Sequence, residues 1–496
     1  MIVLARADGL DREAYDRVVL GGEPVQVAPA LLEAVDAARA RMLAHLAAGA
    51  PAYGVTTGLG RLAGTTIAPE RRAAFQRAIL QRGAGHGPPL PVAAVRGAML
   101  LRLCGFLAGA AGVSAALCRC LADRLNDGWA PWVPSRGVGG AGEVIALGHL
   151  FQTLVGEGWV LEDGVRTPAG VALARRGIAP YVPELKEGIA LVDGAPLAPA
   201  LAAALAGRAR ALSEYATLAG ALAAALAGQS LRPYSPRIGA LKGDAGQQRV
   251  HARLMELHAG ARDWADRPQG PVSFRVLPQV HGAFLDVLDH LDAQVARELR
   301  AVTDSPLFLA AEGDEPEGFY PSGNFHAQAL SLLLDALAVA AVQLANLSEK
   351  RLHRLLDHRF SGLPDQLAAE PGRQSGLVLL HKAAIGFATE NRLLAAPASV
   401  HPADTSGGQE DFQAHGLLAA EKLARILDNA ELIVASELVA ARQARHLGGR
   451  GGSARPPRLE AAVERLAACV EPVGEDRGLG EDVERVLALM RSGGPG

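Results

Sequence analysis

Apolar residues recur at three- and four-residue spacing through 31–46, 92–125, 197–226, 280–302, 327–356, 377–394 and 416–447, which predicts seven amphipathic helices. Several run for roughly twenty to thirty residues, long for a globular protein, and their broad apolar faces predict a shared central bundle. Strict alternation is scarce, so short strands are expected only around 159–165 and 189–192. Gly- and Pro-rich stretches at 50–64, 131–142, 180–196 and 267–278 read as loops between helices. The expected fold class is all-α: a long central helical bundle with a loop-rich N-terminal portion. Three stretches organise the chain: 1–195 with the loops, 196–447 with the long helices, and 448–496 with a linker and last helices. Residues 445–457 are rich in Gly and Arg, and a solvated linker explains them better than an RNA-binding patch.

Composition narrows the class. A chain of 496 residues can bury a large core. Its net charge is −3, with acids and bases mixed along it, so electrostatics offer nothing to a nucleic acid. Cys104, Cys118, Cys120 and Cys469 show no metal-ligand spacing; three lie in an apolar helical stretch and read as buried reduced thiols. The N-terminus lacks a basic-then-apolar leader pattern, and Arg208, Arg210 and Glu214 interrupt the apolar run at 197–226. A soluble, cytoplasmic protein with neither membrane nor nucleic-acid partner is expected.

Candidate chemistry concentrates in the loops. Residues 133–149 read Val-Pro-Ser-Arg-Gly-Val-Gly-Gly-Ala-Gly-Glu-Val-Ile-Ala-Leu-Gly-His, and residues 53–60 read Tyr-Gly-Val-Thr-Thr-Gly-Leu-Gly. Further along come Lys-Glu-Gly-Ile-Ala-Leu-Val-Asp-Gly at 186–194, Ser-Phe-Arg at 273–275, Thr-Asp-Ser-Pro-Leu at 303–307 and Ser-Gly-Asn-Phe-His at 322–326. Ser-Glu-Lys-Arg at 348–351, Pro-Ala-Ser-Val at 397–400 and Gln-Glu-Asp at 409–411 follow. The Gly-rich run at 137–142 looks like a dinucleotide fingerprint, but no strand and crossover pattern surrounds it.

In this order, over about residues 28–445, the motifs resemble those of the aromatic amino acid ammonia-lyases, the family of histidine and phenylalanine ammonia-lyase. The resemblance implies an ammonia-lyase-like helical fold and a homotetramer with shared active sites. It makes Tyr53 a general base, Arg275 the anchor of a substrate carboxylate, and Glu410 a pocket carboxylate. Gln269 and Asn324 match positions contacting the substrate or prosthetic loop, and Phe325 lines the pocket. In that family an Ala-Ser-Gly tripeptide cyclises and dehydrates to a methylidene-imidazolone, the electrophile that activates the substrate. The matching tripeptide here is Gly140-Ala141-Gly142, a degenerate prosthetic loop, since Ala141 has no β-hydroxyl to lose. Val272 stands for a second tyrosine, and Asp193 for an asparagine, adding negative charge. Gln81-Arg82 occupies the substrate-selecting segment, where Arg82 suits a distal anionic or carbonyl group or pairs with Asp193 or Glu410.

These departures set the expectations. No cofactor is expected, because Ala141 replaces the required serine. No metal site is expected either: Asp193, Glu410 and His86 lack ligand spacing, and His149 reads as a capping or core histidine. The main reading is an enzyme free of the electrophile. In it Tyr53, Glu410 and Asp193 perform acid–base chemistry on an amino-acid-like or other carboxylate small molecule, by elimination, hydrolysis or condensation without simple ammonia loss, in specialised metabolism. The alternatives are a non-catalytic scaffold or regulatory subunit, and an ordinary histidine-type ammonia-lyase.

Overall fold

Leucine and alanine set the character of the helix Leu197–Leu226, whose thirty residues hold no β-branched residue except Thr217. The structure, a computed structural model, describes residues 1–81, 83–261, 269–401, 403–449 and 456–493. It is 59% helical and 8% strand, the long helical bundle expected. Other long helices are Leu277–Glu298, Gln328–Leu355 and Gly416–His446. In the last of these Leu423, Ile426, Leu427, Ala430, Ile433 and Val434 are fully buried, the three- and four-residue spacing of a core-facing stripe. Each buried leucine or isoleucine there contributes about 1.5–3 kcal/mol.

Among the described residues, two segments are long and apolar enough to cross a membrane, but 89% of one apolar window (Glu187–Leu226) and 61% of the other (Gln328–Leu355) is buried inside the protein. They are core helices.

Two compact units share the chain. The first comprises Met1–Ala204, Asp292–Leu332 and Pro397–Glu421. It holds helices Pro29–Ala47, Arg72–Leu80, Val92–Leu107, Ala115–Asn126, Val144–Phe151 and Glu187–Val192, with small two-stranded sheets between them. One sheet joins His86–Pro89 to Pro134–Arg136, antiparallel, and so fixes the start of the Gly-rich loop. The second unit comprises Leu205–Leu291, Leu333–Ala396 and Lys422–Gly496. Its interior contains an ion pair in which the Arg351 guanidinium donates to both Glu437 oxygens at 2.7 and 2.8 Å, while the Ser348 hydroxyl adds a third donor at 2.6 Å. Arg351 and Glu437 are wholly buried, and three donors satisfy the carboxylate where water cannot reach it.

Several expectations need correction. The predicted helix at 92–125 is two helices, because Gly109 and Gly112 turn the chain with φ of 81° and 69°. A side chain on Gly112 would also press on Met42 and Lys186. The strand predicted at 189–192 is helical, within Glu187–Val192; its apolar run is buried on all sides, so alternation was no guide. The strand at 159–165 is a hairpin, Trp159–Glu162 with Val165–Pro168. Arg82 lies outside the described residues, as do 450–455 of the expected linker.

Candidate active site

The Tyr53 loop is fastened before it reaches the tyrosine. Thr56 folds back, its hydroxyl accepting the Ala52 N–H at 2.8 Å, and Gly54 takes a φ of 67° against Leu59 and Ile189. The Gln76 amide, fully buried, donates to the Gly54 carbonyl at 2.7 Å and accepts the Ile189 N–H at 3.2 Å. One side chain thus ties the loop to the helix Glu187–Val192. The Gly60 N–H donates to the Tyr53 hydroxyl oxygen at 2.8 Å, which orients the ring's oxygen within its own loop.

Glu410 is held by the loop that carries it. The Ser406 and Thr405 hydroxyls donate to its two oxygens at 2.6 and 3.0 Å, and the Ala141 N–H approaches one of them at 3.4 Å. The Gly140–Gly142 segment needs its glycines: Gly142 has a φ of 84°, and a Cβ there would meet the Gly194 carbonyl and Phe325. Tyr53, Ala141, Asp193, Phe325 and Glu410 line one cavity of about 650 Å³. Five of the expected site residues therefore converge.

Asp193 is buried, and burial pushes its carboxyl up to about 8; Asp304 reinforces this, while Arg102 and Lys186 oppose it. The sequence reading of an added negative charge is corrected: near neutral pH the group is a neutral acid, able to donate a hydrogen bond as an asparagine amide would. Beneath it, Lys186 pairs with Asp304 at 2.8 Å and the Arg102 guanidinium donates to the Asp193 carbonyl at 2.8 Å.

Other expected residues are not among those lining this cavity. Arg275 and Gln269 line a different cavity with Gln229 and Arg232, and Arg275 donates to the Gly270 carbonyl at 3.1 Å. Asn324 is exposed, its amide donating to the Val302 carbonyl at 3.1 Å. His149 is structural, accepting the Gly85 N–H at 3.0 Å. Burial holds its pKa below the usual histidine value.

Two positioning residues escaped the sequence reading. Glu143 is buried, and its oxygens accept the N–H groups of Leu197 and Ala198 at 2.6 and 2.7 Å, capping the helix Leu197–Leu226 from the end of the Gly-rich loop. Burial lifts its pKa to about 7 against those two hydrogen bonds. Gln76 is the other; a lone glutamine on a helix carries no sequence signal.

The helical bundle, with a tyrosine, a carboxylate and a Gly-rich loop around one cavity, defines a lyase-type scaffold, and comparison with known proteins makes the class explicit. Residues 10–468 match the aromatic amino acid lyase family, and the chain belongs to it. Histidine ammonia-lyase from Anaeromyxobacter sp. (strain K) is 36% identical, covering 99% of each chain. Among solved structures, histidine ammonia-lyase from Trypanosoma cruzi superposes with a TM-score of 0.89 at 28% identity, over 99% of this chain and 94% of that one. The ergothioneine-degrading enzyme ergothionase from Treponema denticola gives 0.92 at 25% identity, over 99% and 98%.

Two expectations are overturned here. Full-length relatives named histidine ammonia-lyase replace the main reading, a reaction other than ammonia loss, with the ordinary histidine-type alternative. The expectation of no cofactor falls with it, since enzymes of this family use the methylidene-imidazolone group. Ala141 nonetheless presents a methyl group to the cavity and no β-oxygen. The triplet as it stands does not fit formation of that group by dehydration, and no step below is drawn through it.

Proposed function

We propose that this protein is a histidine-type ammonia-lyase, a cytoplasmic enzyme that eliminates ammonia from an amino acid. The observation that carries the reading is the convergence of Tyr53, Asp193, Phe325 and Glu410 on one cavity, in a chain whose full-length relatives bear that name. Tyr53, as general base, takes the Cβ proton; the C–H electron pair becomes the Cα–Cβ double bond, and the C–N pair leaves with the substrate's ammonium group as neutral ammonia. Glu410 holds the substrate amine as it departs, and neutral Asp193 donates a hydrogen bond without adding charge. Arg275 grips the carboxylate through its planar fork, assisted by Gln269. In a homotetramer with shared active sites, these two reach the substrate from a second copy of the chain.

The test is incubation of the full chain with L-histidine, following urocanate by its ultraviolet absorption and ammonia by a coupled assay. Equal amounts of both are expected, and Tyr53→Phe should slow their release by about 10²–10⁴-fold. No urocanate at any pH where the chain stays folded would reject the histidine reading. Intact mass of the same preparation reports any water lost from residues 140–142.

A further inference from the structure

The second unit gathers three metal-type ligands that the proposed reaction does not use. Glu349 and His353 stand four residues apart on the helix Gln328–Leu355, so one turn places them on the same face. His381 comes from the helix Val378–Leu394. One ligand atom from each lies within 4.8 Å of the other two. We propose that Glu349, His353 and His381 bind a first-row divalent cation, Zn²⁺ foremost, which clamps these two helices together.

The donor set is imidazole, imidazole and carboxylate, which zinc accepts while leaving a fourth position to water. A tetrahedral ion about 2.0–2.1 Å from each ligand sets donor separations near about 3.4 Å, so ring shifts of about 1 Å close the site. The parts are already oriented. Glu349 is 1% exposed, and its Oε1 lies 2.8 Å from His381 Nε2. The two histidine rings stack with centroids 4.4 Å apart.

Two cations face the cluster. Lys350 reaches Glu349 Oε2 at 2.8 Å, but its side chain is 54% exposed and its ammonium can retire to water. Arg354 lies over the Phe360 ring at 4.4 Å, which holds its charge to one side. Binding would release Lys350 and replace the His381–Glu349 hydrogen bond by two metal–ligand bonds. Sequence spacing gave no hint of the site, since its third ligand lies twenty-eight residues beyond His353 on another helix.

The inference stands independently of the lyase reading, and its test needs no turnover. The full chain, freed of metal by a chelator, is titrated with Zn²⁺ by calorimetry and with Co²⁺ by visible absorption. One equivalent per chain is expected, with the intense visible bands of tetrahedral Co²⁺ and a raised melting temperature. His381→Ala and His353→Gln should each weaken binding by at least about tenfold and remove those bands. Should His381→Ala fail to fold, His353→Gln decides alone. No binding by the wild-type chain, or binding that both variants retain unchanged, overturns the proposal.

Discussion

Asp193 illustrates how a single buried residue converts its surroundings into a pH dependence. With its pKa raised to about 8, the folded chain holds a proton that the unfolded chain releases near the ordinary aspartate value. Stability contributed by the neutral acid is therefore complete at low pH and falls as pH rises from about 4 to about 8, by up to about 1.4 kcal/mol per pH unit. Glu143, raised to about 7, acts in the same direction over a narrower window. Asp193→Asn keeps the shape and removes the titration. Its melting temperature should exceed the wild-type value by a margin that widens with pH up to about 8, and a margin constant with pH would refute the account. At this scale the meeting of Tyr53, Phe325 and Glu410 around one cavity was legible because whole motifs carried them. The protonation of Asp193 was not, because it depends on Asp304 and on burial, neither of which a linear motif displays.

Among the elements, the helix Leu197–Leu226 agrees with its periodicity to the residue, since an alanine- and leucine-rich stretch has no competing local structure. The stretch at 92–125 was less legible. Its apolar spacing continues across Gly109 and Gly112, and only their positive φ values reveal the turn. Helix starts were the least readable feature. Leu197–Leu226 is capped by Glu143, fifty-four residues upstream of Leu197, where a sequence reader looks for a serine or aspartate next door. Glu143→Ala would strand two buried N–H groups at the positive end of that helix. A loss of about 2–4 kcal/mol is expected, measured by denaturant unfolding, with Glu143→Gln losing less because its amide oxygen still accepts. Equal stability of Glu143→Ala and wild type would show that water replaces the cap.

For the whole molecule, the fold class and family were both legible, because several composite motifs lie in order along one chain. The reaction was not: departures at Ala141, Val272, Asp193 and Gln81-Arg82 weighed more in the sequence reading than the likeness of the full chain to histidine ammonia-lyases. The proposed tetramer makes a sharp prediction. Tyr53→Phe and Arg275→Ala chains, each nearly inactive alone, should recover measurable ammonia release when co-expressed, since mixed assemblies contain sites with both native residues. Failure to recover activity while mixed oligomers form would mean that both residues must come from one chain.

Gln76 has a consequence for which substitutions the chain can tolerate. Its amide is at once the donor to Gly54 and the acceptor from Ile189, and no other uncharged side chain of that length offers both ends. A glutamate there differs by a single heavy atom, yet it would face a carbonyl with a lone pair in a space closed to solvent. The Tyr53 loop and the neighbouring helix would then part together. A change that looks conservative on paper would act as a double lesion, visible first as lost activity and only afterwards as lost fold.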